Sequence, residues 1–173
     1  YHPDGAYVGN REWNESGRWT EIVGPVKPRG GPAGVILHRG QRVADWGDTT
    51  RTDMTFSIAK SYLSILTGIA VADGLILDID GAIADTVKGE LFGSDHNKNI
   101  TWRHLLYQTS EWQGTLFDKP DQVDHFRQVG AGSDNSQKGK NRDLQSPGTF
   151  WEYNDVRVNL LSVSLLHLFK QPL

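Results

Sequence analysis

The chain has 173 residues, a net charge of −3, 37% hydrophobic residues and 19 glycines, a composition that predicts a soluble globular chain with one sizeable core. The absence of cysteine excludes disulfides and thiol chemistry, and the near-neutral charge without a Lys/Arg cluster argues against nucleic acid as a main partner. No apolar run is long enough to span a membrane, and the six histidines lack a ligand-like spacing, which argues against a metal site.

The first part of the chain is predicted to form an arm followed by a hairpin. Residues 1–32 are rich in Gly, Pro, Trp and charge, which indicates an irregular amino-terminal arm before a domain at 33–173. Two strand-like runs follow, G-V-I-L-H at 34–38 and Q-R-V-A-D-W at 41–46. Because only an Arg-Gly pair separates them, the two runs predict a β-hairpin.

A helix is predicted to begin in the segment 54–63, which reads M-T-F-S-I-A-K-S-Y-L. Asp53 or Thr55 can cap this helix, and Gly74 is expected to end it. Apolar residues recur after the start at the i, i+3, i+4, i+7 spacing that predicts a buried stripe. This predicted stripe consists of Tyr62, Ile65, Leu66 and Ile69.

Ser57 and Lys60 lie three residues apart at this helix start, so their side chains are expected to be neighbours. A serine hydroxyl becomes a good nucleophile only when a base takes its proton, and a lysine among apolar neighbours can become neutral near physiological pH. This is the S-x-x-K arrangement of penicillin-recognising serine enzymes. A single match of this kind arises readily by chance. The functional interpretation therefore depends on the position of the match at a helix start.

The region after the helix is predicted to contain turns and one further helix. Asp78 and Asp80 suggest a calcium loop, but the later acidic ligands of such a loop are missing. The segment 100–110 reads I-T-W-R-H-L-L-Y-Q-T-S and predicts a helix capped by Thr101. Its inner face is predicted to consist of Trp102, Leu105 and Leu106.

From 114 to 148 the chain is hydrophilic, and its glycine-rich stretch at 130–141 predicts a surface loop. The tripeptide S-D-N at 133–135 also occurs as a motif in one subgroup of β-lactamases. No apolar residues flank it to hold it in a site. We therefore interpret it as loop rather than as a catalytic element.

A second candidate element is the segment 146–155, S-P-G-T-F-W-E-Y-N-D, followed by a largely apolar helix at 156–169. Asn154 or Asp155 can cap that helix, which places Tyr153 at its entrance. A phenol acts as a base only where positive charge stabilises the phenolate, and Lys60 can supply that charge. The alternative is that Tyr153 is one of several aromatic residues packed in the core.

Together these segments resemble the β-lactamase-related serine hydrolases of the class C β-lactamase, family VIII carboxylesterase and D,D-peptidase type. The resemblance covers about residues 33 to 170. It rests on the strand pair before the S-x-x-K segment, on 100–110, which is similar to the family's I-T-x-R-H-L-L-x-x-T-S, and on the P-G-T at 147–149 leading to Tyr153. It implies a mixed α/β domain: a mostly antiparallel sheet flanked by helices, with a helical subdomain at about 75 to 155.

The resemblance also implies roles for individual residues. Ser57 would be the acylated nucleophile, Lys60 its proton partner, and Tyr153 the general base for acylation and for activating water. The backbone N–H of Ser57 would form half of the oxyanion hole. The family's Y-x-N motif has Asp155 at its third position here, and an ionised aspartate cannot donate the hydrogen bond that asparagine offers the substrate. Trp112 would contact substrate at the edge of the cleft.

These features favour hydrolysis of a small-molecule ester or amide, with no metal or organic cofactor. The alternatives are a β-lactamase or D,D-peptidase using the same residues, a penicillin-binding or sensor module that acylates without turnover, and a structural or interaction module. No K-T-G or H-x-G triad follows Tyr153, so a companion chain carrying the carboxy-terminal half of the domain is expected. The compartment stays open between a bacterial-type cytoplasm and periplasm.

Overall fold

The computed structural model of the chain describes residues 30–53, 55–130 and 132–173. The predicted arm at 1–32 therefore lies almost entirely outside the described residues. The chain divides into two compact units, Tyr1–Phe56 and Ser57–Leu173. None of the helices in the described part is long and apolar enough to cross a bilayer.

The described residues form a mixed α/β structure with small antiparallel sheets and short and long helices. The strands are β1 (Gly34–His38), β2 (Gln41–Trp46), β3 (Thr115–Leu116) and β4 (Lys119–Pro120). The α-helices are α1 (Ala59–Ala72), α2 (Ile83–Thr86), α3 (Trp102–Leu106) and α4 (Asp155–Phe169). Single turns of 3₁₀-helix occur at Phe56–Ile58, Glu90–Phe92 and Asp121–Asp124. The mixed α/β class predicted from the sequence is thereby confirmed.

In the first unit, β1 and β2 pair antiparallel, which confirms the predicted hairpin. The two turn residues Arg39 and Gly40 have φ of +50° and +79°, the left-handed conformation that two-residue hairpin turns require. Between Ile36 and Leu37 the register shifts by a bulge. The predicted mostly antiparallel sheet is replaced, in the described residues, by two separate two-stranded sheets, β1–β2 and β3–β4.

Helix α1 begins later than predicted. The 3₁₀ turn Phe56–Ile58 comes first, and Ile58, the residue before α1, makes no side-chain cap. The prediction that Asp53 or Thr55 caps this helix is therefore wrong, because the extra turn moves the helix start away from both. Its end is confirmed: Gly74 has φ of +71°, and its N–H bonds to the carbonyl of Val71.

The buried face of α1 also differs from the predicted stripe. Tyr62, Ile65 and Ile69 are 53%, 60% and 43% exposed. The helix instead packs against α4 through a neighbouring face with the same spacing. That face consists of Leu63, Leu66, Thr67 and Ala70. Both faces carry apolar residues, so periodicity alone did not decide which one is buried.

Helix α3 is shorter than the predicted segment, but its cap and inner face are confirmed. The Thr101 side chain accepts a hydrogen bond from the backbone of His104, whose side chain accepts one from the backbone of Thr101. Trp102 and Leu105 are buried, and Leu106 packs against the core. The region 75–155 is less helical than predicted, since α2 and α3 have 4 and 5 residues.

Helix α4 is capped by Asn154, one of the two residues that the sequence offered as its cap. The Asn154 Oδ1 accepts a hydrogen bond from the backbone N–H of Arg157 at 3.2 Å, and its Nδ2 donates to the carbonyl of Asp121 at 2.8 Å. The residue is fully buried. One side chain thus pairs one of the free N–H groups at the helix start and ties the helix to the 3₁₀ turn Asp121–Asp124.

We expect Asn154→Ala to lower the free energy of unfolding by about 1–2 kcal/mol, because it removes the cap and leaves a buried carbonyl without its donor. Urea denaturation measures this change. The matched control is Asn159→Ala in the same helix, at an exposed position, with an expected change within about 0.5 kcal/mol. Equal effects of the two substitutions would contradict this assignment of the cap.

Candidate active site

The site centres on Ser57, which lies in the 3₁₀ turn directly before α1. Lys60 lies in the first turn of α1, and its Nζ donates a hydrogen bond to Ser57 Oγ at 3.1 Å. The preceding residue, Phe56, has a left-handed φ of +47°, which is costly for an aromatic residue. Ser57 is exposed, so solvent reaches its hydroxyl.

Tyr153 meets this pair from the other end of the second unit. It lies immediately before Asn154, the N-cap of α4, and its Oη is 2.6 Å from Ser57 Oγ although 96 residues separate the two in sequence. The structure therefore brings together the three residues that the sequence predicted as catalytic. The Ser57 hydroxyl lies within hydrogen-bond distance of both a phenol and an amine.

Gln108 fixes the backbone on both sides of Tyr153. Its carbonyl accepts a hydrogen bond from the N–H of Glu152 at 3.1 Å, and its Oε1 accepts one from the N–H of Asn154 at 3.3 Å. Gln108 has a left-handed φ of +56°. Sequence reasoning placed this residue inside a predicted helix and missed the contact, since pairing between distant loops leaves no local signal.

Asp155 is paired with two cations beside Ser57 and Tyr153. Its Oδ1 is 2.7 Å from Lys60 Nζ, and its Oδ2 accepts a hydrogen bond from Arg127 Nη1 at 2.7 Å. Both of its oxygens are thus paired with cations, and a contact between Asp155 and substrate stays a prediction. Burial alone would raise the pKa of Asp155, but hydrogen bonds from Lys60 and Arg127 lower it below its usual value.

The same ion pair overturns the expectation of a neutral lysine. Burial alone would lower the pKa of Lys60, but hydrogen bonds to Asp155 and Tyr153 outweigh burial and raise it. Lys60 is therefore a cation at neutral pH, and it donates to Ser57 rather than taking its proton. Of the two groups within hydrogen-bond distance of Ser57 Oγ, Tyr153 is therefore the candidate for a base.

Trp112 is placed differently from the prediction. Its side chain is 1% exposed, and its Nε1 donates a hydrogen bond to the carbonyl of Leu91 at 2.6 Å. It is a core residue, so the prediction of a substrate contact at the cleft edge is wrong. The neighbouring Ser110 and Glu111 are fully buried as well, which shows that this segment runs through the interior.

A buried network of charged side chains lies behind Tyr153, and the sequence analysis did not predict it. Arg142 bonds both Glu111 and Glu152, with shortest distances of 2.6 and 2.8 Å. Arg157 Nη1 bonds the same two carboxylates at 2.7 and 3.2 Å. Because Glu152 directly precedes Tyr153, this network holds the chain segment that carries the phenol.

The pKa of Glu111 provides a test of this network. Burial alone would raise it, but hydrogen bonds from Arg142 and Gln145 lower it from 4.5 to about 2. A carboxyl with a depressed pKa stabilises the fold above its unfolded pKa and loses that contribution as the pH falls. We expect the stability difference between wild type and Glu111→Gln to be largest at neutral pH and to shrink as the pH falls from 4.5 to about 2.

Urea denaturation of both proteins across that pH range measures the difference. Glu90→Gln, at an exposed position, is the control and is expected to stay within about 0.5 kcal/mol of wild type at neutral pH. A stability difference between wild type and Glu111→Gln that did not change with pH would contradict the assigned ion pairing.

The S-D-N tripeptide at 133–135 hydrogen-bonds within its own loop. Ser133 Oγ donates to the carbonyl of Gly130 at 2.7 Å, and Asn135 Oδ1 accepts from the N–H of Gln128 at 2.9 Å. These contacts agree with its interpretation as a surface loop.

Comparisons with protein-family models, with curated proteins and with solved structures found no match to this chain. In the stretches 30–53, 55–130 and 132–173, no three or more His, Asp or Glu side chains are grouped so as to hold a metal ion. Proposals about function therefore depend on the geometry of the site and on the resemblance of its motifs.

Proposed function

We propose that this chain is a serine hydrolase that cleaves a small-molecule ester or amide through an acyl-Ser57 intermediate. One observation carries the proposal: Ser57 Oγ lies 2.6 Å from Tyr153 Oη and 3.1 Å from Lys60 Nζ. A nucleophile within hydrogen-bond reach of a base that is itself oriented by a third group is the arrangement that covalent catalysis requires. The β-lactamase-like fold suggested by the motifs belongs to the same proposal.

In the first step, Tyr153 in its deprotonated form takes the proton of Ser57 as Oγ attacks the carbonyl carbon. Lys60 remains charged and stabilises the negative charge that moves between the phenol and serine oxygens. The backbone N–H of Ser57 donates one hydrogen bond to the oxyanion. The proton then passes from Tyr153 to the leaving alcohol or amine, and the acyl group stays on Ser57.

In the second step, Tyr153 takes a proton from water, the hydroxide attacks the acyl carbonyl, and Ser57 leaves with that proton. Esters and amides remain favoured over β-lactams in this proposal. Asp155 bonds two cations and, as a carboxylate, does not donate the hydrogen bond that the family's asparagine offers.

A second candidate is a penicillin-binding or sensor module that acylates without turnover. One observation favours it: Lys60 is held as a cation by Asp155, so deacylation has to depend on Tyr153 alone. An acyl group that kept water from reaching the phenol would then persist. A β-lactamase or D,D-peptidase would use the same residues with a different substrate.

Release of p-nitrophenol from a p-nitrophenyl ester, followed by mass spectrometry of the protein, separates these proposals. A hydrolase is expected to show a burst of one equivalent and then steady turnover. A burst without turnover, with a lasting adduct on Ser57, would favour the non-turnover module. Parallel reactions with an anilide and with a β-lactam assign the substrate class, and failure of every substrate to react would contradict all three proposals.

A further inference from the structure

Arg127 is a residue near the site to which the proposed reaction assigns no role. It follows the 3₁₀ turn Asp121–Asp124, and its side chain is 25% exposed. Its Nη1 donates to Asp155 Oδ2 at 2.7 Å and to Asp124 Oδ1 at 3.2 Å. One guanidinium nitrogen therefore joins two carboxylates from separate segments of the chain.

The same guanidinium lies over the ring of Tyr153. Its Cζ is 4.8 Å from the ring centroid, and Lys60 Nζ is 4.7 Å from it, both within the range of a cation–π contact. Asp155 links the two cations, since Lys60 approaches its Oδ1 and Arg127 its Oδ2. Two cations, one carboxylate and one phenol thus form a closed group beside Ser57.

Asp124 anchors this group to the rest of the second unit. Its Oδ2 accepts a hydrogen bond from the N–H of Asp155 at 2.8 Å, and its Oδ1 lies 3.2 Å from Lys138 Nζ. Lys60, Arg127 and Lys138 each form an ion pair with the carboxylate of Asp124 or Asp155. Positive charge beside the phenol stabilises the negative charge that proton transfer from Ser57 requires.

We propose that Arg127 is a positioning residue for acyl transfer at Ser57, acting through Asp155 and Tyr153. This inference rests on the proposed serine hydrolase function. Arg127 holds the Asp155 carboxylate so that its other oxygen meets Lys60, and it holds the Tyr153 ring so that Oη meets Ser57 Oγ. The planar guanidinium allows both contacts at once, whereas the point charge of a lysine does not.

The chain offers a matched control in Arg103. This arginine bonds the carboxylate of Asp80 at 2.6 Å, and its Cζ lies 5.7 Å from the ring centroid of Tyr107. It therefore has the same kinds of partner as Arg127, a carboxylate and a phenol, but none of its contacts involves Ser57, Lys60 or Tyr153. Substitution of Arg103 therefore measures the general effect of losing an arginine, an ion pair and a ring contact. Any additional effect of substituting Arg127 is specific to the site.

The experiment measures the rate constant for acylation of Ser57 in the full chain, using p-nitrophenyl acetate and a fluorophosphonate as two independent probes. Arg127→Gln is expected to slow acylation by about 10²-fold, with the concentration for half-maximal acylation by the ester unchanged, because misplacing the reacting groups lowers the rate rather than the binding. Arg103→Gln is expected to acylate at the wild-type rate.

Chemical rescue provides a readout that a purely structural role would not change. Millimolar guanidinium chloride is expected to speed acylation of Arg127→Ala, while the same concentration of sodium chloride is not. If Arg127→Gln does not fold, judged by urea denaturation, Arg127→Lys replaces it and is expected to remain slow, because the fork is lost while the charge is kept.

The outcomes separate this inference from the function on which it rests. If wild type reacts with neither probe, the proposed function and this inference both fail. If wild type is acylated at Ser57 and a folded Arg127 variant is acylated equally fast, only the role of Arg127 is refuted. A slow Arg127→Ala that guanidinium does not accelerate would assign Arg127 to the fold alone and overturn the proposal.

Discussion

Replacing Tyr153 by phenylalanine is expected to slow acylation of Ser57 by about 10²–10⁴-fold, the range over which a positioned general base contributes. The substitution keeps the ring that Lys60 and Arg127 both contact but removes the oxygen that lies 2.6 Å from Ser57 Oγ. Lys60 does not replace it, because the ion pair with Asp155 keeps the lysine protonated. The burst of p-nitrophenol from an activated ester measures the rate.

Tyr107→Phe is the matched control for this experiment. Tyr107 is 59% exposed at the end of α3 and makes no contact with Ser57. The Tyr107→Phe protein is expected to be acylated as fast as wild type. A Tyr153→Phe protein that kept the wild-type burst would show that the phenol is not the base and would remove the central step of the proposed mechanism.

The largest effect on stability is expected from Arg157→Met. The Arg157 side chain is 2% exposed, and it bonds Glu111, Glu152 and Asp121, with distances of 2.7, 3.2 and 3.3 Å. Methionine fills a similar volume but leaves these buried carboxylates with fewer cations, which costs about 3–5 kcal/mol for a buried pair broken on one side. Urea denaturation at neutral pH measures the loss.

Arg103→Met is the control for Arg157→Met, because Arg103 makes its ion pair with Asp80 at the surface, where such pairs contribute less than about 1 kcal/mol. Arg157→Met is also expected to slow acylation of Ser57, since Glu152 holds the chain next to Tyr153. A loss of stability no greater than that of Arg103→Met would contradict the view that this network stabilises the fold.

Most elements with local signals were predicted from the sequence, although the cap predicted for α1 at Asp53 or Thr55 was wrong. The Arg39–Gly40 turn, the Thr101 cap, the glycine at 74 and the Asn154 cap each depend on residues within one turn of chain. The juxtaposition of Ser57 and Lys60 follows from helix geometry in the same way. The approach of Tyr153 to Ser57 has no local signal of this kind. It was predicted from the resemblance of the segment that ends in Tyr153 to a motif of the β-lactamase-related family.

Apart from the approach of Tyr153 to Ser57, the features that depend on long-range packing were not predicted. Contact with α4, not periodicity, decides which face of α1 is buried. One of the two cations that pair with Asp155 is Arg127, a residue that nothing in its local sequence distinguishes from surface arginines. The indole N–H of Trp112 favoured a place at the edge of a cleft. The side chain lies in the core instead, because this N–H donates a hydrogen bond to the carbonyl of Leu91 inside the fold.

The sequence analysis did not predict the buried network in which Arg142 and Arg157 bond Glu111 and Glu152. Arg157 stands between two valines in a largely apolar helix, which is a local sign that its charge is neutralised inside the protein. Its partners come from segments as many as 46 residues away, so no local pattern identifies them. A charged residue inside an apolar run is therefore a useful signal for a buried ion pair.

The most direct measurement of the account is the site of acylation itself. The full chain is reacted with p-nitrophenyl acetate, quenched at the end of the burst, digested and mapped by mass spectrometry. We predict one acetyl group per chain, carried by Ser57, and none on the nearby Ser61 and Ser64. An adduct on either neighbour, or a chain that gains no acetyl group, would contradict the assignment of Ser57 as the nucleophile.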